Sequence, residues 1–186
     1  MISISAPDAN GVRGRVGRAF TLVELMTVLV ILGILTLIAL PLVGNASTST
    51  GEAALRTNLA SIRNAIELFA NQHNGSFPSA VSDGTNAAGT EAAIVSHLTQ
   101  YSNAAGAVSA SKSATYPYGP YLKYGIPQVT AGPLKGSTGV SVTNSASALT
   151  ADGSPTKGWK YSYVTGQLIC NSTAVSSDGA TTYAQY

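Results

Sequence analysis

Between Leu25 and Leu40 the chain reads LMTVLVILGILTLIAL, 16 residues without a charge, and the longer run from Phe20 to Val43 covers 24 residues interrupted only by Glu24. As a helix the longer run spans roughly 36 Å, enough to cross the ~30 Å hydrocarbon core of a bilayer. Arg13, Arg15 and Arg18 precede it and no basic residue follows until Arg56. The positive-inside rule therefore predicts a cytoplasmic N-terminus and an exported C-terminal part.

Glu24 is the residue this segment has to accommodate. An ionised carboxylate in an apolar span costs on the order of 2.5–3.5 kcal/mol at the centre and less toward the interface, so it needs a partner. A cut between Ala19 and Phe20 creates a new α-amino group four residues before Glu24. A neighbouring copy shifted along the membrane sets that amine against the carboxylate.

Composition narrows the alternatives. Of 186 residues 10% are charged and 45% apolar, with a mean hydropathy of +0.19, too little charge for an ordinary soluble surface. Residues 1–19 carry a net +2, while the remainder holds seven basic and seven acidic side chains. That balance gives no case for wholesale phosphate neutralisation, so nucleic-acid binding is disfavoured. Cys170 is the single cysteine, which excludes an intrachain disulfide and every paired-cysteine metal or redox motif.

The string RAFTLVELMTVLVILGILTLIALP resembles the signal of type IV prepilins and type II secretion pseudopilins: a basic leader, a small residue, Phe, Thr-Leu-Val-Glu, an apolar helix and a proline. The resemblance implies that prepilin peptidase cuts after Ala19 and that Phe20 becomes the N-methylated first residue. It also implies that Glu24 serves assembly and that Pro41 bends a long helix. Ala19 stands where the family usually has glycine. An uncleaved signal anchor explains the arginines but not Thr-Leu-Val-Glu. A secretory signal peptide cut after Gly44-Asn45-Ala46 requires an apolar region longer than usual.

Beyond Pro41, Leu55, Leu59, Ile62, Ile66 and Phe69 recur at alternating spacings of four and three, one apolar helical stripe. Gly75 after Asn74 is a predicted C-cap, with Pro78 preventing continuation. A continuous helix from Phe20 to Asn74 measures roughly 80 Å. Gly44, Gly51 and the Ser/Thr run between them are poor helix formers, so a kink or melted region is expected there. Residues 79–90 read as a loop, and Glu91 to Leu98 as a short helix with Thr90 as N-cap.

YPYGPYLKYGIP, residues 116–127, holds Tyr116, Tyr118, Tyr121 and Tyr124 among prolines and glycines and is expected to be an ordered loop covering the sheet. Trp159, Tyr161 and Tyr163 alternate with polar residues before Val164-Thr165-Gly166 and Gln167 to Asn171, a β-hairpin pattern whose aromatic face is expected to bury against the helix stripe. Residues 139–143 are a further candidate strand. GPYL followed by GWKYSYVTGQLICN is also similar to the head of major type II pseudopilins. In that family calcium can be held near the C-terminus. The carboxylates available here after Glu91 are Asp152 and Asp178, few for an ion that takes six to eight oxygens, so no cofactor is assigned.

The expected fold is α+β, with a long N-terminal helix, membrane-spanning then amphipathic, packed on a small antiparallel sheet. The expected organisation is a cleaved leader 1–19, a transmembrane and filament-core helix 20–43, its amphipathic continuation and cap 44–78, and a loop-rich head 79–186. His73 and His97 are expected to be structural, and no nucleophile, zinc or phosphate-loop motif is present, so no enzyme is expected. The expected role is a pseudopilin of a type II secretion pseudopilus, with a type IV pilin for adhesion, motility or DNA uptake as the alternative. The expected location is the bacterial inner membrane, single-pass, with a periplasmic or filament-borne head. The expected partners are further copies in a helical filament, prepilin peptidase, the inner-membrane assembly platform, minor pseudopilins and membrane lipid.

Overall fold

The computed structural model describes residues 20–186, and for 38–47 the backbone alone. The chain divides into two compact units, Met1–Leu42 and Val43–Tyr186. The first helix, α1 (Leu22–Gln72), carries residues of both. Among the described residues no helix is long and apolar enough to cross a membrane. In the N-terminal apolar run of α1 the described side chains reach Leu37, roughly 24 Å of rise from Leu22, and the predicted span to Val43 continues into residues 38–43, whose side chains are outside the description.

In the second unit the predicted stripe is the spine of the core. Leu55, Leu59, Ile62, Ile66 and Phe69 are essentially inaccessible and pack with Ile94, Leu98, Val129, Val140, Trp159, Tyr161, Leu168 and Cys170. Burying each large apolar side chain contributes about 1.5–3 kcal/mol. The helix stops where the sequence predicts. Asn74 and Gly75 take positive φ values of 56° and 80°, and the Gly75 amide donates to the Ala70 carbonyl at 2.8 Å, closing the helix with a Schellman-type turn.

The helix does not melt between residues 44 and 51, contrary to the propensity argument. Gly51 is there for a different reason. A Cβ at this position would lie 2.9 Å from the Thr130 carbonyl oxygen, and Thr130 Oγ1 donates to the Gly51 carbonyl at 2.7 Å. The glycine admits a loop against the helix, and tertiary contact overrides weak helix propensity.

Helix α2 (Glu91–Thr99) starts at Thr90, whose Oγ1 accepts from the Ala93 amide. It leads into a two-stranded antiparallel ribbon, β1 (Tyr101–Ser102) and β2 (Val108–Ser109). The main sheet is β3 (Val140–Thr143), β4 (Trp159–Ser162) and β5 (Leu168–Cys170), with β4 in the centre. The β4–β5 hairpin is antiparallel, pairing Trp159 with Cys170 and Tyr161 with Leu168. β3, however, runs parallel to β4, Val140 opposite Trp159, so the sheet is mixed and not antiparallel throughout. Residues 144–158 supply the long return that a parallel pair needs.

The tyrosine segment also lies elsewhere than expected. Its Tyr121 and Leu122 amides donate to the Leu98 carbonyl, and the Tyr121 hydroxyl donates to Gln72 Oε1 at 2.7 Å. It closes the end of α1 and the end of α2. Its last residue, Pro127, reaches the sheet, accepting from Trp159 Nε1 at 2.8 Å.

A charged stripe on α1 holds the C-terminal segment. Glu52 accepts from the Ser177 amide and hydroxyl and from the Tyr183 hydroxyl, and the Arg56 guanidinium lies 4.1 Å above the Tyr186 ring. Arg63 donates to the Leu168 carbonyl and to the main-chain oxygen of Tyr186. Residues Tyr183–Gln185 form a short 3-10 turn within this strap.

Candidate functional site

Ala19 lies outside the described residues, whereas Phe20, Thr21 and Glu24 are described. Phe20 precedes the first turn of α1 and is 80% exposed. Thr21 is the N-cap. Its Oγ1 accepts from the Glu24 amide at 3.2 Å, and the Glu24 carboxylate reaches back to accept from the Thr21 amide and hydroxyl at 2.8 Å each. This is a capping box, in which two backbone N–H donors left over at a helix start are each satisfied by the other residue's side chain.

The box gives Glu24 two donors within its own chain. The sequence argument finds a partner for it in a neighbouring copy. The Thr-x-x-Glu spacing of residues 21–24 is the signal that names Thr21 as the local one. Beyond the box, Val23, Met26, Thr27, Val30 and Ile31 line a shallow, almost wholly apolar groove along one helix face. Thr27 and Thr36 turn their hydroxyls onto the Glu24 and Leu32 carbonyls, which removes their polarity from the apolar surface. Pro41 lies within α1.

The other residues singled out in the sequence are engaged elsewhere. Asp152 accepts from Lys160 Nζ at 2.6 Å on one oxygen and from Asn171 Nδ2 at 2.9 Å on the other. The Lys160 ammonium, followed by Asn171, holds its carboxyl below the usual range. Asp178 closes its own turn, accepting from the Thr181 and Ala180 amides and the Ser176 hydroxyl, and the two amides hold its carboxyl well below the usual range. Glu52, bound to Ser177, lies near enough to Asp178 to feel its charge. Among the described residues no three His, Cys, Asp or Glu side chains stand close enough to hold a metal ion.

Tyr118 and Tyr121 turn their edges to His73, while Tyr124 is 94% exposed with Lys123 over its ring. Cys170 is fully buried, and burial pushes its thiol up to about 11.

Ser79, His97 and Asp83 come together in the head, the residue types of a nucleophile, a base and its orienting acid. Their contacts oppose that chemistry. His97 Nδ1 accepts from the amide of Ser79 and not its hydroxyl, which donates to the Thr90 carbonyl. Asp83 is occupied by the Thr85 and Asn86 amides and the Asn86 side chain.

No curated protein and no solved structure matches the chain. Residues 15–40 match the family model of the prokaryotic N-terminal methylation motif. The matched stretch contains the capped start of α1, Phe20 and Glu24 included, together with the arginines at 15 and 18. The chain thus carries, at residues 15–40, the N-terminal signal of type IV pilin-like proteins and pseudopilins.

Proposed function

We propose that this chain is a pseudopilin, a structural subunit that polymerises through its N-terminal helix into a type II secretion pseudopilus. The observation that carries the reading is Glu24, a carboxylate at the start of an exposed apolar helix within the methylation motif. On this reading the precursor sits in the inner membrane with its arginines inside and its head outside. Prepilin peptidase removes residues 1–19, Phe20 is methylated, and Glu24 then exchanges its Thr21 donors for the terminal amine of an adjoining subunit. A buried pair of this kind sets axial register more than it adds net stability. Cohesion comes from Leu, Ile and Val packing along residues 25–40, the assembly platform and minor pseudopilins acting as the other partners.

The test has two parts. Mass spectrometry of the mature protein should find a chain starting at Phe20 with one added methyl group; a start at Met1 or Ser47 defeats the reading. Glu24→Gln should leave the protein in the membrane and abolish its incorporation into filaments. Normal filaments from this variant would remove Glu24 from the mechanism. Secretion lost on deletion of the gene supports a pseudopilus, whereas loss of twitching, adhesion or DNA uptake with intact secretion assigns a type IV pilus.

A further inference from the structure

Two histidines lie in the head, His73 directly after the last residue of α1 and His97 on α2, and the function proposed above uses neither. His97 is fully buried and His73 is 2% exposed. The Phe69 ring touches both, stacked on His73 at 3.7 Å and tilted against His97 at 4.9 Å between centroids.

The partners of His97 fix its protonation state. Nδ1 lies 2.9 Å from the Ser79 amide nitrogen, which can only donate, so Nδ1 carries no proton. Nε2 lies 2.8 Å from the Gly106 carbonyl, which can only accept, so Nε2 carries the proton. One neutral tautomer satisfies both contacts, and an imidazolium would set N–H against N–H at Ser79. His73 is less constrained. Its Nδ1 donates to the Phe69 carbonyl at 2.7 Å and its Nε2 meets the Ser102 hydroxyl at 3.0 Å, a group able to donate or accept.

The His97 ring is a strut between two loops. Ser79, at φ +64°, also accepts at its carbonyl from the Gly89 amide, so its contacts tie down both ends of the loop 79–90. Gly106, at φ +93°, leaves so little room that a Cβ would lie 2.6 Å from Val81 Cγ2. We propose that His97, backed by His73 across Phe69, is a proton-sensitive latch: neutral, it clamps loops 79–90 and 103–107 to the body of the head, and protonated, it releases them.

The groups facing the pair set the direction. Burial disfavours the charged form of both rings, and His73 opposes a charge on His97. Asp83 favours one, but its oxygens are already held by Thr85 and Asn86. Tyr118 and Tyr121 present ring edges to His73. With the folded value below the ordinary histidine value of about 6.5, the latch is at full strength above that pH and weakens as pH falls. If protonation requires opening, the opening constant rises about tenfold per pH unit for each histidine involved.

The experiment is amide hydrogen exchange on the full chain in detergent micelles from pH 7.5 to 4.5, each rate corrected for its intrinsic pH dependence. The expected result is an opening constant at Ser79, Gly89 and Gly106 that rises about tenfold or more per unit below pH 6.5, with β4 and β5 amides unchanged. A flat profile at the loop amides overturns the latch, and so does an equal rise at β4 and β5, which would mean global unfolding. His97→Gln should flatten the loop profile by about tenfold per unit, and an unchanged slope overturns the role of His97. Should that variant fail to fold, nitrogen NMR of the wild-type ring decides: an Nε2–H tautomer persisting below pH 6 is expected, and titration near 6.5 with Ser79 still protected refutes the proposal.

Discussion

Gly51→Ala sets two effects against each other inside α1. In an exposed helix interior the change stabilises by up to about 1 kcal/mol through backbone entropy. Here the new Cβ would stand 2.9 Å from the Thr130 carbonyl oxygen and 3.8 Å from Ala131 Cβ. The loop cannot step aside freely, because Val129 and Ala131 are buried and Asn58 Nδ2 also holds the Gln128 carbonyl at 3.0 Å. Forcing an extra methyl into such a contact costs about 1–3 kcal/mol, and stretching the 2.7 Å bond from Thr130 Oγ1 to the Gly51 carbonyl adds about 1 kcal/mol. The clash wins, for a net destabilisation of about 1–3 kcal/mol, equivalent to a fall in Tm of about 3–10 °C for a head of this size. Trp159, the only tryptophan and fully buried, reports head unfolding by fluorescence in the full-length protein. Gly33→Ala, with nothing within 4 Å of the new Cβ, should leave the Trp159 transition unmoved. Thr130→Val should cost less in the Gly51→Ala background than alone, because the loop has already moved. A Tm above wild type for Gly51→Ala would show that helix propensity governs this position and that the Thr130 approach is slack.

Two further outcomes follow from the head's polar contacts. Cys170, buried and with its thiol pushed up to about 11, should resist alkylation at pH 8 in the native protein and react as soon as Trp159 fluorescence reports unfolding; rapid native labelling would contradict its burial. Lys160→Met removes the pair with Asp152, whose side chains are 17% and 40% exposed, and should lower stability by less than about 1 kcal/mol. Because Asp152 is held below its ordinary value, the difference between wild type and variant should persist above pH ~4 and fade below it. A gap that stays constant down to pH 2 would assign the effect to packing of the lysine stem.

What was legible in the chain is what short-range pattern controls. The stripe from Leu55 to Phe69, the Thr90 cap, the Asn74-Gly75 stop and the Trp159–Cys170 hairpin each rest on residues within a few turns or a few strand positions of one another. Direction of the β3 pairing had no such signal. Val140–Thr143 can lie beside β4 either way round, and the choice is made by the course of residues 144–158. The tyrosine segment was legible as a turning, ordered stretch, but its docking on Leu98 and Gln72 depends on where two helix ends meet.

The polar ties show the same limit more sharply. Arg63 reaches Leu168, Glu52 reaches Ser177 and Tyr183, and Glu91 takes the Val140 amide together with the Lys157 ammonium. On a helix wheel these charges look like a solvated face, yet two of them serve the edges of the main sheet. Arg63 occupies a carbonyl of β5 and Glu91 an amide of β3, positions where an edge strand would otherwise recruit another chain. In a protein proposed to assemble through its N-terminal helix, covered edges keep the heads from pairing strand to strand. The Thr21–Glu24 box is the opposite case, since its spacing is readable from sequence alone. Taken with the motif over residues 15–40, it makes the acid proposed for assembly a group already satisfied within its own chain, so on that reading association has to offer Glu24 a better partner than Thr21 and not merely any partner.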